Sequence, residues 1–135
     1  MKIAKLLQIF FFLSIIIISS CSENDEEFVD TSLISFEEAT FSEDEFIIYL
    51  TEDPNGKTFS FGAGTYNFTN TIPLADIENL TIKGVGIDET YFDFSNSAST
   101  SGEGIAATQC SNLLFCGFTI QNTNGGNAIT ARNIT

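Results

Sequence analysis

Apolar and polar residues alternate with a period of two through most of the chain after Lys57. Phe59 and Phe61 alternate with Thr58 and Ser60, Leu80 and Ile82 with Thr81 and Lys83, and Phe92 and Phe94 with Tyr91 and Asp93. Ile72 and Leu74 keep the same phase around Pro73, and Gly62-Ala63-Gly64-Thr65-Tyr66 forms a tight connection into Tyr66-Asn67-Phe68. Such short runs, separated by Gly, Asn, Asp and Thr, predict half-buried strands joined by turns, hence an all-β protein. No long helical pattern separates them, which argues against an α/β fold.

One stretch departs from this rhythm. Ser42-Glu43-Asp44-Glu45 fits a capping box, in which Ser42 accepts from the Glu45 backbone and the Glu45 side chain reaches back. Phe41 and Phe46 stand where a hydrophobic staple requires them. Phe46, Ile47 and Leu50 form an apolar face, and Asp53-Pro54-Asn55-Gly56 ends the element. A helix is therefore expected over about Ser42 to Glu52. The carboxylates of its first turn suit the helix dipole, which accounts for them without a metal.

The strand pattern also repeats. Asn79-Leu80-Thr81-Ile82-Lys83-Gly84-Val85-Gly86-Ile87 is echoed by Asn112-Leu113-Leu114-Phe115-Cys116-Gly117-Phe118-Thr119-Ile120, with Asn first, Gly sixth and Ile ninth. Asn133-Ile134-Thr135 opens a third copy. Gly104-Ile105-Ala106 likewise resembles Asn127-Ala128-Ile129-Thr130, each preceding an Asn-aliphatic pair. One strand-turn unit cannot bury its own apolar face, so repeats of this length imply stacking. Of a sandwich, a propeller and a parallel β-helix, the last best accommodates unequal copies, because loops leave the stack without disturbing it. The polar loop Ser95–Gly102 is read as the insertion that lengthens one copy. The three asparagines are read as structural, bonding and stacking at equivalent bends. Gly84 and Gly86 lack the third glycine and following helix of a phosphate loop and are assigned to a turn. The repeat left unfinished at Thr135 leads to the expectation that this is the N-terminal part of a longer protein.

The N-terminus has a different character. Lys2 and Lys5 precede an apolar run from Leu6 to Ile18, shorter than the ~20 residues of a membrane span. This reads as a secretory signal. Ile18-Ser19-Ser20-Cys21 resembles the bacterial lipobox, which implies that Cys21 is lipidated and becomes the first residue of the mature protein. An ordinary cleavage site nearby would instead leave a soluble exported protein. Ser22-Glu23-Asn24-Asp25-Glu26-Glu27 is an acidic tether, similar also to the export tags of surface lipoproteins of the Bacteroidetes type. The chain thus divides into a signal at 1–20, an acidic tether at 21–40, whose end begins to dock on the fold, and the first part of the repeat domain at 41–135. Lipid anchoring in the cell envelope follows, at the outer membrane and, through the tag, at the cell surface.

Charge narrows the partners. The 135 residues carry 18 acidic and 5 basic side chains and no histidine, for a net charge of -13. Such a surface repels phosphate backbones, so no nucleic-acid partner is expected.

Phe61-Gly62-Ala63-Gly64-Thr65-Tyr66, followed by Asn79 to Thr90 and preceded by a helix, resembles the opening of right-handed parallel β-helix proteins of the pectin-lyase type. In these the N-terminal helix plugs the end of the cylinder. The chain is most similar in character to lipoproteins with β-helix repeats. Other relatives are pectate and alginate lyases, glycoside hydrolases and mannuronan C5-epimerases. The resemblance implies a polysaccharide ligand, bound and in the enzymes also processed, and in some relatives Ca²⁺. A shared fold does not carry activity with it, and a non-catalytic adhesin or scaffold is the alternative.

The residues leave the question of catalysis open. The Asp-Pro-His-Asp motif of the epimerases is absent, and after the signal only Lys57, Lys83 and Arg132 are basic. Asp88, Asp93 and Glu103 are the outward acidic candidates, with solvated turns as their simpler reading. No cofactor or metal site is identified from the residues. Cys110 and Cys116 would lie ~20 Å apart on one extended strand, beyond the ~4.4–6.8 Å range of a bridge, so two free thiols are expected.

Overall fold

A computed structural model describes residues 31–135; the signal, Cys21 and most of the acidic tether lie outside that range. Ten short strands and one α-helix make up the fold. In chain order they are β1 (Leu33–Phe36), α1 (Glu43–Glu52), β2 (Thr58–Phe61), β3 (Gly64–Asn67), β4 (Ile72–Ala75), β5 (Thr81–Gly84), β6 (Thr90–Asp93), β7 (Ile105–Thr108), β8 (Leu114–Cys116), β9 (Thr119–Gln121) and β10 (Ile129–Arg132). Every pairing is parallel. The strand orders are β1-β2-β5-β8 in a first sheet, β3-β6-β9 in a second and β4-β7-β10 in a third. After α1 the chain visits the first, second and third sheets in that order three times. The described residues are thus all-β and parallel, with a single α-helix. No helix among the described residues is long and apolar enough to cross a membrane.

The alternation seen in the sequence sets which side chains enter the core. Phe59, Phe61, Tyr66, Ile72, Leu74, Ile82, Phe92 and Ile105 are fully or almost fully buried. Register places like on like: Ile72 beside Ile105 and Ile129, and Tyr66 beside Phe92 and Ile120. Aromatic rings stack along the same direction, Phe68 on Phe94 at 5.1 Å and Phe92 on Phe118 at 4.4 Å between centroids.

The helix forms where expected. The Glu45 N–H donates to the Ser42 hydroxyl at 3.3 Å, and Phe41 meets Phe46 at 6.3 Å between ring centroids. The reciprocal half of the capping box is replaced, because the Glu45 carboxylate accepts from the Tyr49 hydroxyl. Phe46 and Leu50 are buried. Phe46 packs edge-on against Phe36, Phe59, Phe61 and Phe68, which closes one end of the interior.

Three local readings change. Within the stretch read as tether, Leu33–Phe36 is strand β1, paired residue for residue with β2, so docking starts earlier and as a strand. The repeat holds through Gly84 and Gly117 and then loses phase. Ile120 lies beside Phe92, whereas Ile87 is 62% exposed on the connection from β5 to β6. The Ile ninth in both copies is therefore not one structural position. Nor does Ser95–Gly102 account for the whole insertion. Gly64 to Ile72 spans eight positions and Thr90 to Ile105 fifteen, but Thr58 to Gly64 also spans six where Thr81 to Thr90 spans nine.

The bends are built as the asparagines suggested. Asn79, Asn112 and Asn133 share a left-handed backbone, with φ of 57°, 52° and 52°, which Asn tolerates better than most residues. The Asn112 amide donates to the Asn79 side-chain oxygen at 3.0 Å. A Cβ on Gly117, whose φ is +70°, would overlap the Gly84 carbonyl oxygen, so glycine there serves both backbone conformation and the spacing of successive turns.

Phe46→Ala removes the ring that covers the first interior row. Urea unfolding is expected to show a loss of about 3–5 kcal/mol, the usual range for truncating a buried Phe; a loss below about 1 kcal/mol would mean that α1 is not part of the core.

Candidate functional site

The outward face of the second sheet gathers polar and aromatic side chains from three successive turns. Alternation turns Tyr66 and Phe92 inward, which leaves Thr65, Tyr91 and Thr119 as one outward row and Asn67, Asp93 and Gln121 as the next. Tyr91 is half-buried between the two threonines. Its hydroxyl has no hydrogen-bond partner among the described residues. The Thr119 hydroxyl donates to the Ile87 carbonyl at 2.6 Å, fixing the edge of the face against the β5–β6 connection.

Asp93 anchors this face. One carboxylate oxygen accepts from the Ser95 N–H at 2.8 Å; the other accepts from the Gln121 amide at 2.7 Å and the Asn122 amide at 2.6 Å. The side chain is only 8% exposed. Hydrogen bonds from Ser95, and then from Gln121 and Asn122, outweigh desolvation and lower its pKa from 3.8 to about 2. Burial pushes the Tyr66 phenol the other way, with Glu37 and Glu38 adding to the rise; that hydroxyl donates to the carbonyls of Phe36 at 3.0 Å and Gly62 at 3.3 Å.

The three acidic candidates have separate surroundings. Asp88 is exposed on the β5–β6 connection. Asp93 lies on β6 and is shielded, contrary to its reading as a solvated turn residue. Glu103 is half-buried: its carboxylate accepts from Thr130 at 2.8 Å and its carbonyl from Thr71 at 2.8 Å, joining three successive turns. Asp93 and Glu103 thus fasten one turn to the next. Tyr91 was not singled out by sequence reasoning, although its place on the polar phase of an alternating strand was the available signal.

Among the described residues no three His, Cys, Asp or Glu side chains converge on a point that could hold a metal ion. Cys110 and Cys116 are both free, the first buried with its thiol directed at the carbonyls of Leu74 and Thr108, the second exposed on β8. No family model, curated protein or solved structure matches the chain.

Because folding lowers the Asp93 pKa, the ionised carboxylate stabilises the native state fully above pH ~4 and progressively less as pH falls toward about 2. Asp93→Asn is expected to lose on the order of 2 kcal/mol at pH 7 in chemical unfolding. The difference from the parent protein should shrink as pH drops through this window; a constant difference across it would refute the assignment.

Proposed function

We propose that the chain folds as a right-handed parallel β-helix of the pectin-lyase type, held at the cell envelope by a lipid on Cys21, and that the outward face of its second sheet binds a polysaccharide. The observation that carries the ligand reading is the row Thr65–Tyr91–Thr119 beside Asn67–Asp93–Gln121. A pyranose ring has an apolar C–H face and a rim of hydroxyls. Tyrosine offers a flat apolar surface with a polar tip, and the neighbouring hydroxyls and amides suit the rim. The ionised Asp93 and the net charge of -13 favour an uncharged glycan over a polyuronate. The β-helix reading is supported by three parallel sheets visited in a constant order and by α1 over one end.

Binding without bond cleavage is the form of this reading that the carboxylates favour. A general base works best with a pKa near the operating pH. Asp93 is held far below that range and Glu103 is engaged by Thr130. The adhesin or scaffold alternative shares this prediction and differs only in lacking a glycan ligand.

Titration calorimetry of the full chain with oligosaccharides of a neutral β-glucan and of polygalacturonate tests the ligand. Binding of the neutral oligosaccharide is expected, weakened about tenfold or more by Tyr91→Ala, with its chain length unchanged after incubation. Absence of binding to either oligosaccharide would leave the scaffold reading.

The anchor has its own test. Cys21→Ser is expected to move the protein from the membrane fraction to the soluble exported fraction, with loss of metabolic labelling by a fatty-acid analogue. Retention in the membrane without label would exclude lipidation.

A further inference from the structure

The strand at one edge of the third sheet borders a groove unrelated to the Tyr91 face. Two clefts of about 400 Å³ each lie between α1 and β4 and share Pro73 as a common wall. Their apolar surface includes Ile48, Pro73 and Ala75; Ile48 is 51% exposed although it sits on a helix docked to the core. Carboxylates border them, notably Asp44, Glu52 and Asp76. None of these three is neutralised within the fold: the one ion pair among the described residues joins Lys57 to Asp53.

The backbone reinforces the same preference. The Ile72 and Asp76 N–H groups bond across to β7, to the carbonyls of Gly104 and Thr108. Alternation in a parallel ladder therefore turns the backbone groups of Pro73 and Ala75 toward the groove. Proline has no N–H, so this edge presents two carbonyl acceptors and a single donor. A surface with apolar floor, carboxylate rim and excess acceptors calls for a ligand that is apolar on one side, positive on the other and rich in donors.

We propose that this groove docks an extended cationic segment of a partner protein, in which apolar residues alternate with Lys or Arg. Apolar side chains of the segment lie against Ile48, Pro73 and Ala75, while its cations meet Asp44, Glu52 and Asp76. A second copy of this chain is excluded as the occupant by its own net charge of -13. The inference uses a different face from the proposed glycan site and stands or falls separately from it.

The test is fluorescence polarisation of the full chain with a labelled octapeptide of alternating lysine and valine. Binding is expected, and Asp44→Lys combined with Asp76→Lys should weaken it about tenfold or more. Asp88→Lys combined with Glu89→Lys changes the net charge equally but lies on the β5–β6 connection, and should weaken it less than about twofold. Ile48→Ser, an exposed position that leaves the core intact, should also weaken binding. Three results would overturn the proposal: no binding, equal weakening by the two charge reversals, or no effect of Ile48→Ser. Displacement of the peptide by spermine at equal concentration would assign the groove to a small polycation and overturn it as well.

Discussion

The seat of Phe46 on Phe36, Phe59, Phe61 and Phe68 is the contact on which the rest of the fold depends. In a parallel stack each row of side chains is buried by the rows on either side, so interior rows need no special device. A terminal row has a neighbour on one side only. Without α1, the rings of Phe36, Phe61 and Phe68 would meet water, and the ladder from Phe61 to Phe92 and on to Phe118 would begin at an exposed end. Ser42 and the staple partner Phe41 serve this contact by fixing where the helix starts and how it enters.

Covering the side chains does not satisfy the backbone, and the edge strands are treated individually. Glu38 accepts from the Thr65 N–H of β3, while the Glu43 carboxylate accepts from the N–H groups of Thr69 and Asn70 and from the Thr69 hydroxyl. Carboxylates from the cap thus take donors that a further strand would otherwise have to meet. On β4 the donor is removed at source by Pro73. Edges blunted by carboxylates and proline resist extension by another sheet, which is how natural edge strands avoid aggregation. The same carboxylates leave this end of the molecule acidic.

What the sequence made legible is what depends on near neighbours. Alternation identified the buried phase of β2, β4, β5 and β6, and the cap, staple and stop located α1 within a residue. The asparagine bends were legible because a left-handed conformation restricts residue type locally. The strand Leu33–Phe36 was not, since its four residues owe their state to pairing with β2, about twenty-five positions later. The shift of phase after Gly84 was hidden for a related reason. Ile87 and Ile120 match in sequence, but the longer connection carries Ile87 out to solvent before β6 begins, and only the register of Phe92 against Ile120 reveals it. Burial of Asp93 depends on Gln121 and Asn122, one full turn further on, which no local pattern foretells.

That last dependence bears on what the carboxylates of this fold are for. A buried carboxylate with few partners has a raised pKa and becomes a usable acid or base. Asp93 has the opposite arrangement: three strong donors, two of them from the following turn, fix it in the ionised form. Such a group holds a charge constant over the physiological range and transfers no proton there. It also draws Gln121 and Asn122 onto the second sheet, so the order of the face beside Tyr91 and the cohesion of successive turns have one cause. The outward face is thus held in place by the same hydrogen bonds that stack the fold. Proton transfer on this fold would require a different carboxylate, one whose partners leave it free to change its charge.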